Sequence, residues 1–364
     1  MSASPIVNNK LTVHKLSYYN YTSPLEFREV ELKGYSETSF LGPTQILIKT
    51  KASSLNPVDV ILYQLTPTWL KKDVLKGFGS DYAGEVLQTG SEVKDYKEGD
   101  RVYGDLLKPF GPNGAFSDYL VLDVTKEDKI GKIPDNLSYQ EAAALPIAFG
   151  TAYELITKNH NVKGANVIVF GAGTSVGTYG VEIAKYLGAK TVLATCSPKS
   201  AAKAKEYGAD VIVDYTKGAE HEYKEITEFV KKNGKFDLIF DSCRDPVFMG
   251  RLKDVLKTRK EGGKYVQVFG STTMDYRTVT VASNLPTKGI MRELVASRLP
   301  FSKYEFISAS ISDGGDFIKA VADLSASNKL KIPIDSVFKP KDYKKALDKF
   351  YSGSFKGKLV FDFE

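Results

Sequence analysis

The chain has 364 residues, of which 42% are hydrophobic and 26% charged, with 50 Lys and Arg against 44 Asp and Glu for a net charge of +6. That length suits two domains of ordinary size, and the composition excludes disordered and collagen-like chains. No run approaches the ~20 apolar residues of a membrane-spanning helix, and the positive surplus is spread along the chain, so no nucleic-acid partner is expected.

The first 24 residues show neither an apolar signal region nor a small-residue cleavage site, and read as a short disordered lead into the first strand. Up to about residue 128 the pattern is one of short strands between glycine turns. The runs 45–50, 83–89, 100–103 and 115–122 are rich in β-branched and aromatic residues, as in a small β-barrel or sandwich. From about 130 the rhythm changes. Apolar runs at 167–170, 191–194, 211–213, 237–240 and 265–269 alternate with helical segments such as 176–187 and 199–207. Near-continuous apolar strands separated by single helices imply a parallel sheet covered on both faces. The pattern continues less clearly through 279–281, a helix near 288–298, a strand at 304–309 and a helix at 315–326. Two strands flanking a helix over 342–351 end the chain. Cys196 and Cys243 are the only cysteines, which leaves no disulfide framework and fits a reducing, cytoplasmic setting.

The most informative segment is the strand 167–170 followed by Gly171-Ala172-Gly173-Thr174-Ser175-Val176-Gly177 and a helix. A glycine turn from a buried strand into a helix presents free N–H groups and a positive dipole end, which suits a dinucleotide pyrophosphate. The spacing misses G-x-G-x-x-G by one residue, because Val176 precedes Gly177. The plainer alternative is a βα turn that binds nothing. An NAD site would place an acid about 20 residues further on, for the ribose 2′-hydroxyl. The second strand instead ends Thr195-Cys196-Ser197-Pro198-Lys199, without a carboxylate. Ser197 and Lys199 suit a 2′-phosphate, so NADP(H) is the expected cofactor. The alternative there is that Lys199, Lys203 and Lys205 decorate an exposed helix face.

Together these residues resemble the medium-chain dehydrogenase/reductase superfamily, in its zinc-free, quinone-oxidoreductase-like branch. The resemblance rests on 52–59 (ASSLNPVD), 79–86 (GSDYAGEV), 99–104 (GDRVYG) and 142–146 (AAALP) with 150–153 (GTAY). It continues through the glycine turn, 187–189 (LGA), 207–210 (YGAD) and 236–241 (FDLIFD). It implies a Rossmann doubly wound parallel sheet, residues 131–330, inserted into a GroES-like β-barrel catalytic domain formed by 1–130 and 331–364. It also implies a cleft between the two that holds the nicotinamide. Carried over by position, Asn56 and Thr151 lie near the nicotinamide ring. Gly171, Gly173, Thr174, Ser175, Val176 and Gly177 form the pyrophosphate turn. Ser197, Lys199 and Tyr215 surround the 2′-phosphate, and Ser242 and Phe269 join the cofactor site.

Two departures stand out. The branch usually has Gly-Gly-Val-Gly where this chain has Thr174-Ser175-Val176-Gly177, and many relatives have Asn at the position of Ser242. Zinc-dependent relatives have Gly-His-Glu where this chain has Gly79-Ser80-Asp81. With His14, His160 and His221 as the only histidines, no zinc set is expected. Asp59 and Asp81 sit in turn-like contexts where Asp bonds backbone. The implied activity is NADPH-dependent reduction of a small apolar quinone or α,β-unsaturated carbonyl. A non-catalytic NADPH-binding protein acting through a partner or lipid surface, and a reductase of saturated carbonyls, are the alternatives. Relatives form homodimers through the last Rossmann strand, near 304–309. The Thr174-Ser175-Val176 turn and the run 334–338 look like a fungal lipid-droplet-associated subfamily. That likeness suggests a lipid-droplet or mitochondrial surface, with 289–301 as an amphipathic contact; the favoured alternative for 289–301 is a helix that covers the cleft or packs on the sheet.

Overall fold

A computed structural model describes residues 6–7, 10–32, 41–70, 72–106, 109–126, 129–268, 275–299, 302–309 and 315–364. It divides into two compact units: Met1–Ile147 with Asp275–Thr280 and Gly314–Glu364, and Ala148–Met274 with Val281–Asp313.

The first unit is built on two sheets. In the smaller, β2 (Lys10–Tyr18) pairs antiparallel with β1 (Ile6–Val7), β3 (Glu26–Leu32) and β5 (Lys76–Gly77). The larger runs β16-β17-β4-β6-β7-β9, with β8 also on β4. Its strands are β4 (Gln45–Leu55), β6 (Asp81–Thr89), β7 (Arg101–Asp105), β8 (Tyr119–Asp123), β9 (Ile130–Lys132), β16 (Ile334–Phe338) and β17 (Lys358–Asp362). The C-terminal strand β17 lies antiparallel on β4, pairing Leu359 with Leu55, so both ends of the chain build one barrel-like body. Ile46, Ile48, Tyr82, Val86 and Val102 fill one core, and Phe78, Phe116, Phe350 and Phe361 another. Helices α1 (Pro57–Gln64), α2 (Tyr139–Ala143), α9 (Phe317–Ala326) and α10 (Tyr343–Ser352) accompany them.

Strand β2 corrects the expected disordered lead. Leu11 and Val13 are buried while Lys10 and His14 are exposed, a period-2 alternation that fits a half-buried strand. The pattern is easily missed because Lys15 and Ser17, on the buried phase, are polar; Lys15 reaches the Pro112 carbonyl at 2.9 Å.

The second unit is a six-stranded parallel sheet in the order β12-β11-β10-β13-β14-β15. The strands are β10 (Asn166–Phe170), β11 (Thr191–Thr195), β12 (Val211–Val213), β13 (Leu238–Asp241), β14 (Lys264–Val268) and β15 (Glu305–Ala309). Counted from β10, this is the 3-2-1-4-5-6 order of a Rossmann sheet. The helices are α3 (Pro146–Thr157), which starts at the boundary between the units, α4 (Ser175–Tyr186), α5 (Pro198–Glu206), α6 (Ala219–Asn233), α7 (Val281–Asn284) and α8 (Lys288–Ser297). All of β10 is buried, which is why its sequence reads as an unbroken apolar run. Ile168, Phe170, Leu193, Ile239 and Tyr265 from four strands pack with Ile226 of α6 and Ile290 of α8.

Over 289–301, helix α8 packs one face on the sheet, the favoured of the two readings, and leaves another exposed. Ile290, Glu293 and Ser297 are buried and Leu294 packs on the core, while Met291, Val295 and Leu299 are exposed. Phe301 and Phe269 lie outside the described residues.

Candidate functional site

Open parallel sheets bind ligands beyond the carboxyl ends of their strands, at the point where the strand order reverses. Here that point lies between β10 and β13, paired from Val167 with Leu238 to Phe170 with Asp241. The chain leaves β10 through Gly171, whose φ of +78° favours glycine, and enters α4 at the N-cap Thr174. Gly177 is required by closeness instead: a Cβ there would lie 2.2 Å from the Gly171 carbonyl oxygen.

Four helix-start N–H groups ordinarily lack intrahelical acceptors. In α4 two are already taken: Thr174 N–H donates to Gly171 O at 2.9 Å, and Gly177 N–H donates to Thr174 Oγ1 at 2.9 Å. Thr174 Oγ1 also lies 3.0 Å from Ser242 Oγ, which in turn is 2.8 Å from Phe170 O. Ser175 and Val176 are half-buried at the same turn.

Ser197 caps α5 at the end of β11, and its side chain makes no capping bond. Pro198 follows at the first helical position, then exposed Lys199. Tyr215 stands just beyond the neighbouring strand β12, 48% exposed. Thr151 is buried in α3, and its hydroxyl has no hydrogen-bond partner among the described residues.

The first unit holds a separate polar cluster. Asp81, fully buried at the start of β6, accepts from Ser54 Oγ at 2.8 Å, Asn56 Nδ2 at 2.8 Å, Lys358 Nζ at 3.0 Å and the Ile147 N–H at 2.9 Å. Lys358 also donates to Asn56 Oδ1. Both ends of the Asn56 amide are therefore engaged inside the protein. Asp59, in the first turn of α1, accepts from Asn56 N–H at 2.8 Å and from Ser80 Oγ at 2.6 Å. Burial pushes its carboxyl up to about 7, with Asp81 adding and the Ser80 bond opposing. Asp59 and Ser80 line a small pocket with Tyr18, Leu62, Leu106 and Phe110. Lys358 went unnoticed in the sequence; 302 residues separate it from Asn56, and no local pattern marks it.

Among the described residues no group of three His, Cys, Asp or Glu side chains is suited to hold a metal ion. Residues 42–135 match the alcohol dehydrogenase GroES-like domain, and residues 187–361 match a family described as zinc-binding dehydrogenase. Protein YIM1-2 of Lachancea thermotolerans is 33% identical over 97% of this chain and 99% of its own length. Protein YIM1 of Saccharomyces cerevisiae is 31% identical over 98% of each. Among solved structures, the quinone oxidoreductase of Coxiella burnetii superposes with a TM-score of 0.74 at 23% identity, covering 97% of this chain and 100% of that one. A cobalt- and zinc-bound alcohol dehydrogenase of Pyrobaculum aerophilum gives 0.68 at 20% identity, covering 96% and 99%. This chain is a medium-chain dehydrogenase/reductase.

As a member of that superfamily, and of the YIM1 group within it, the chain carries the oxidoreductase fold whose parallel sheet holds a nicotinamide dinucleotide. The residues present fit such a group. The first turn of α4 has N–H groups for the pyrophosphate, and the unpartnered Thr151 hydroxyl and the free capping position of Ser197 are polar groups left for a ligand.

The same dehydrogenase/reductase sheet buries an acidic group behind β13. Asp241 accepts from Tyr265 OH at 2.6 Å and Gln267 Nε2 at 2.9 Å, and Glu222 of α6 faces it and Asp245. Burial, then the Asp245 and Asp241 charges, raise the Glu222 carboxyl to about 8 from its ordinary 4.5. A carboxyl raised in the folded state contributes stability fully present below the unfolded value and lost as pH climbs through the folded one. Glu222→Gln should therefore melt close to the native protein at about pH 5 and above it by about pH 9. A melting-temperature difference that does not change with pH would contradict this.

Proposed function

We propose that this protein is a zinc-independent, NADPH-dependent oxidoreductase that reduces quinones or α,β-unsaturated carbonyls. The observation that carries the cofactor choice is the end of β11. No carboxylate stands between Thr195 and Lys199, and Ser197 has its hydroxyl uncommitted to capping beside a lysine on the first turn of α5. A 2′-phosphate finds a hydroxyl, a cation and a helix N-terminus there.

Zinc independence is supported by what occupies Gly79-Ser80-Asp81. Ser80 is bonded to Asp59, and Asp81 is paired with the Lys358 ammonium, which would face any added cation. A bound nicotinamide supplies the hydride. The chain's part is to orient the acceptor and to provide a proton. Quinones and enones accept hydride without a strong acid, so a hydroxyl backed by a carboxyl near neutrality is sufficient. Ser80 Oγ and the Asp59 carboxyl, which burial pushes up to about 7, form such a pair at the edge of a small pocket. The likeness to solved quinone oxidoreductases supports this class.

One observation favours the second reading, a non-catalytic NADPH-binding protein. The Asn56 amide donates to Asp81 and to Ser54 O, accepts from Lys358 and is 2% exposed, leaving it no donor for a substrate. For that reading the exposed Met291, Val295 and Leu299 beside Arg292 and Arg298 are the surface offered to a partner or lipid.

Calorimetric titration tests the cofactor claim. NADPH should bind more tightly than NADH, and Ser197→Ala or Lys199→Ala should each narrow the gap by about 1.5–3 kcal/mol, roughly tenfold or more. Equal affinity for the two nucleotides in the native protein would sink it.

A further inference from the structure

The hydroxyls of Thr174 and Ser242 have their hydrogens assigned by their neighbours. Ser242 Oγ stands 2.8 Å from Phe170 O and 3.2 Å from Gly171 O, and carbonyls only accept. Its single hydrogen therefore goes to a carbonyl, and the 3.0 Å contact with Thr174 is a bond that Thr174 donates. Thr174 Oγ1 in turn accepts from Gly177 N–H at 2.9 Å. The result is one directed chain, from Gly177 N–H through Thr174 and Ser242 to the end of β10. It lies across the point where the strand order reverses, between β10 and β13.

Such a chain occupies part of the site. A phosphate at a helix start is held by the unpaired N–H groups of the first turn, and the third of these is already satisfied. Thr174 has no hydrogen left to donate, so it shows an incoming phosphate only lone pairs. We infer that Thr174 and Ser242 form a latch over the first turn of α4, and that a nucleotide pyrophosphate enters only when Thr174 lets go of the Gly177 N–H. The latch specifies how tightly the dinucleotide is held, and in that sense the inference rests on the dinucleotide reading of the sheet.

The test is binding, not turnover. Native protein, Thr174→Gly and Ser242→Ala are titrated with NADPH and, separately, with inorganic pyrophosphate. Amide exchange at Gly177 is followed in each ligand-free protein. Gly is nearly as good an N-cap as Thr, so the first variant keeps its helix. Ser242→Ala leaves the turn sequence intact and frees the Thr174 hydrogen for a phosphate. Both variants should exchange Gly177 faster than native and bind NADPH more tightly, Thr174→Gly by about tenfold, the reach of one capping bond. If native protein binds neither probe while Thr174→Gly binds pyrophosphate, the latch stands and the NADPH reading of the native protein fails. If NADPH binds native and variants alike, or binds the variants more weakly, the latch is overturned. If none of the three proteins binds either probe, opening the turn has created no anion site and the inference is likewise overturned.

Discussion

Lys358→Met is expected to lower stability by about 3–5 kcal/mol, the cost of stranding one member of a buried ion pair. Lys358 and Asp81 have side chains 3% and 0% exposed at 3.0 Å, so water cannot replace the lost ammonium. The Asn56 Oδ1 acceptor loses its partner in the same change. The loss falls where Lys358, at the start of β17, reaches across β4 to Asp81 of β6, so it weakens the docking of the C-terminal strand in the first unit. At about 2–4 °C per kcal/mol for a body of this size, the melting temperature should fall by on the order of 10 °C. Adding Asp81→Asn to Lys358→Met removes the stranded charge while keeping one amide oxygen as acceptor for the Ile147 N–H, and should recover part of the loss. Differential scanning calorimetry decides it: a drop below about 2 °C for the single variant would show that the pair does not hold the barrel together.

Gly173→Val is expected to abolish nucleotide binding while sparing the fold. A Cβ at Gly173 would meet only Ser200, at 3.0 Å to Oγ and 3.4 Å to Cβ, so the side chain is accommodated by a small shift of one serine. The valine methyls then stand over the turn where the pyrophosphate is received, and take the space a phosphate needs. Gly177 makes the contrast. Its Cβ would press on the Gly171 carbonyl at 2.2 Å and on Ser242 Oγ at 2.6 Å, so substitution there distorts the turn itself. NADPH titration beside a melting curve separates the two cases. Native affinity in Gly173→Val would mean that the phosphates bind elsewhere.

The second unit was largely legible in the sequence because its strands are buried on both faces. The runs 167–170, 191–194 and 211–213 needed no tertiary knowledge to be seen, and the observed strands agree with them. The hairpin of β2 and β3 was not legible. Its alternation is blurred by Lys15 and Ser17 on the buried phase, and its connection, Tyr19–Leu25, contains no glycine. The turn residues Thr174 and Ser242 could be named, but not their contact, which joins positions 68 apart. Lys358 reaches Asn56 and Asp81 only once the C-terminal strand has docked on β4. Side chains whose role comes from non-local pairing leave no periodic trace, and these are the residues that set the chemistry of both candidate sites.

The account's central claim is that the chain reduces an acceptor with NADPH, and single-turnover oxidation of bound NADPH by a panel of small quinones and enals tests it most directly. The account predicts slow but measurable loss of the reduced nicotinamide absorbance with quinones. It also predicts no effect of prior treatment with a strong chelator, and a slower rate in Asp59→Asn, where the Ser80 hydroxyl loses its carboxyl. NADPH that binds and is oxidised by no member of the panel would contradict it and leave the non-catalytic reading standing.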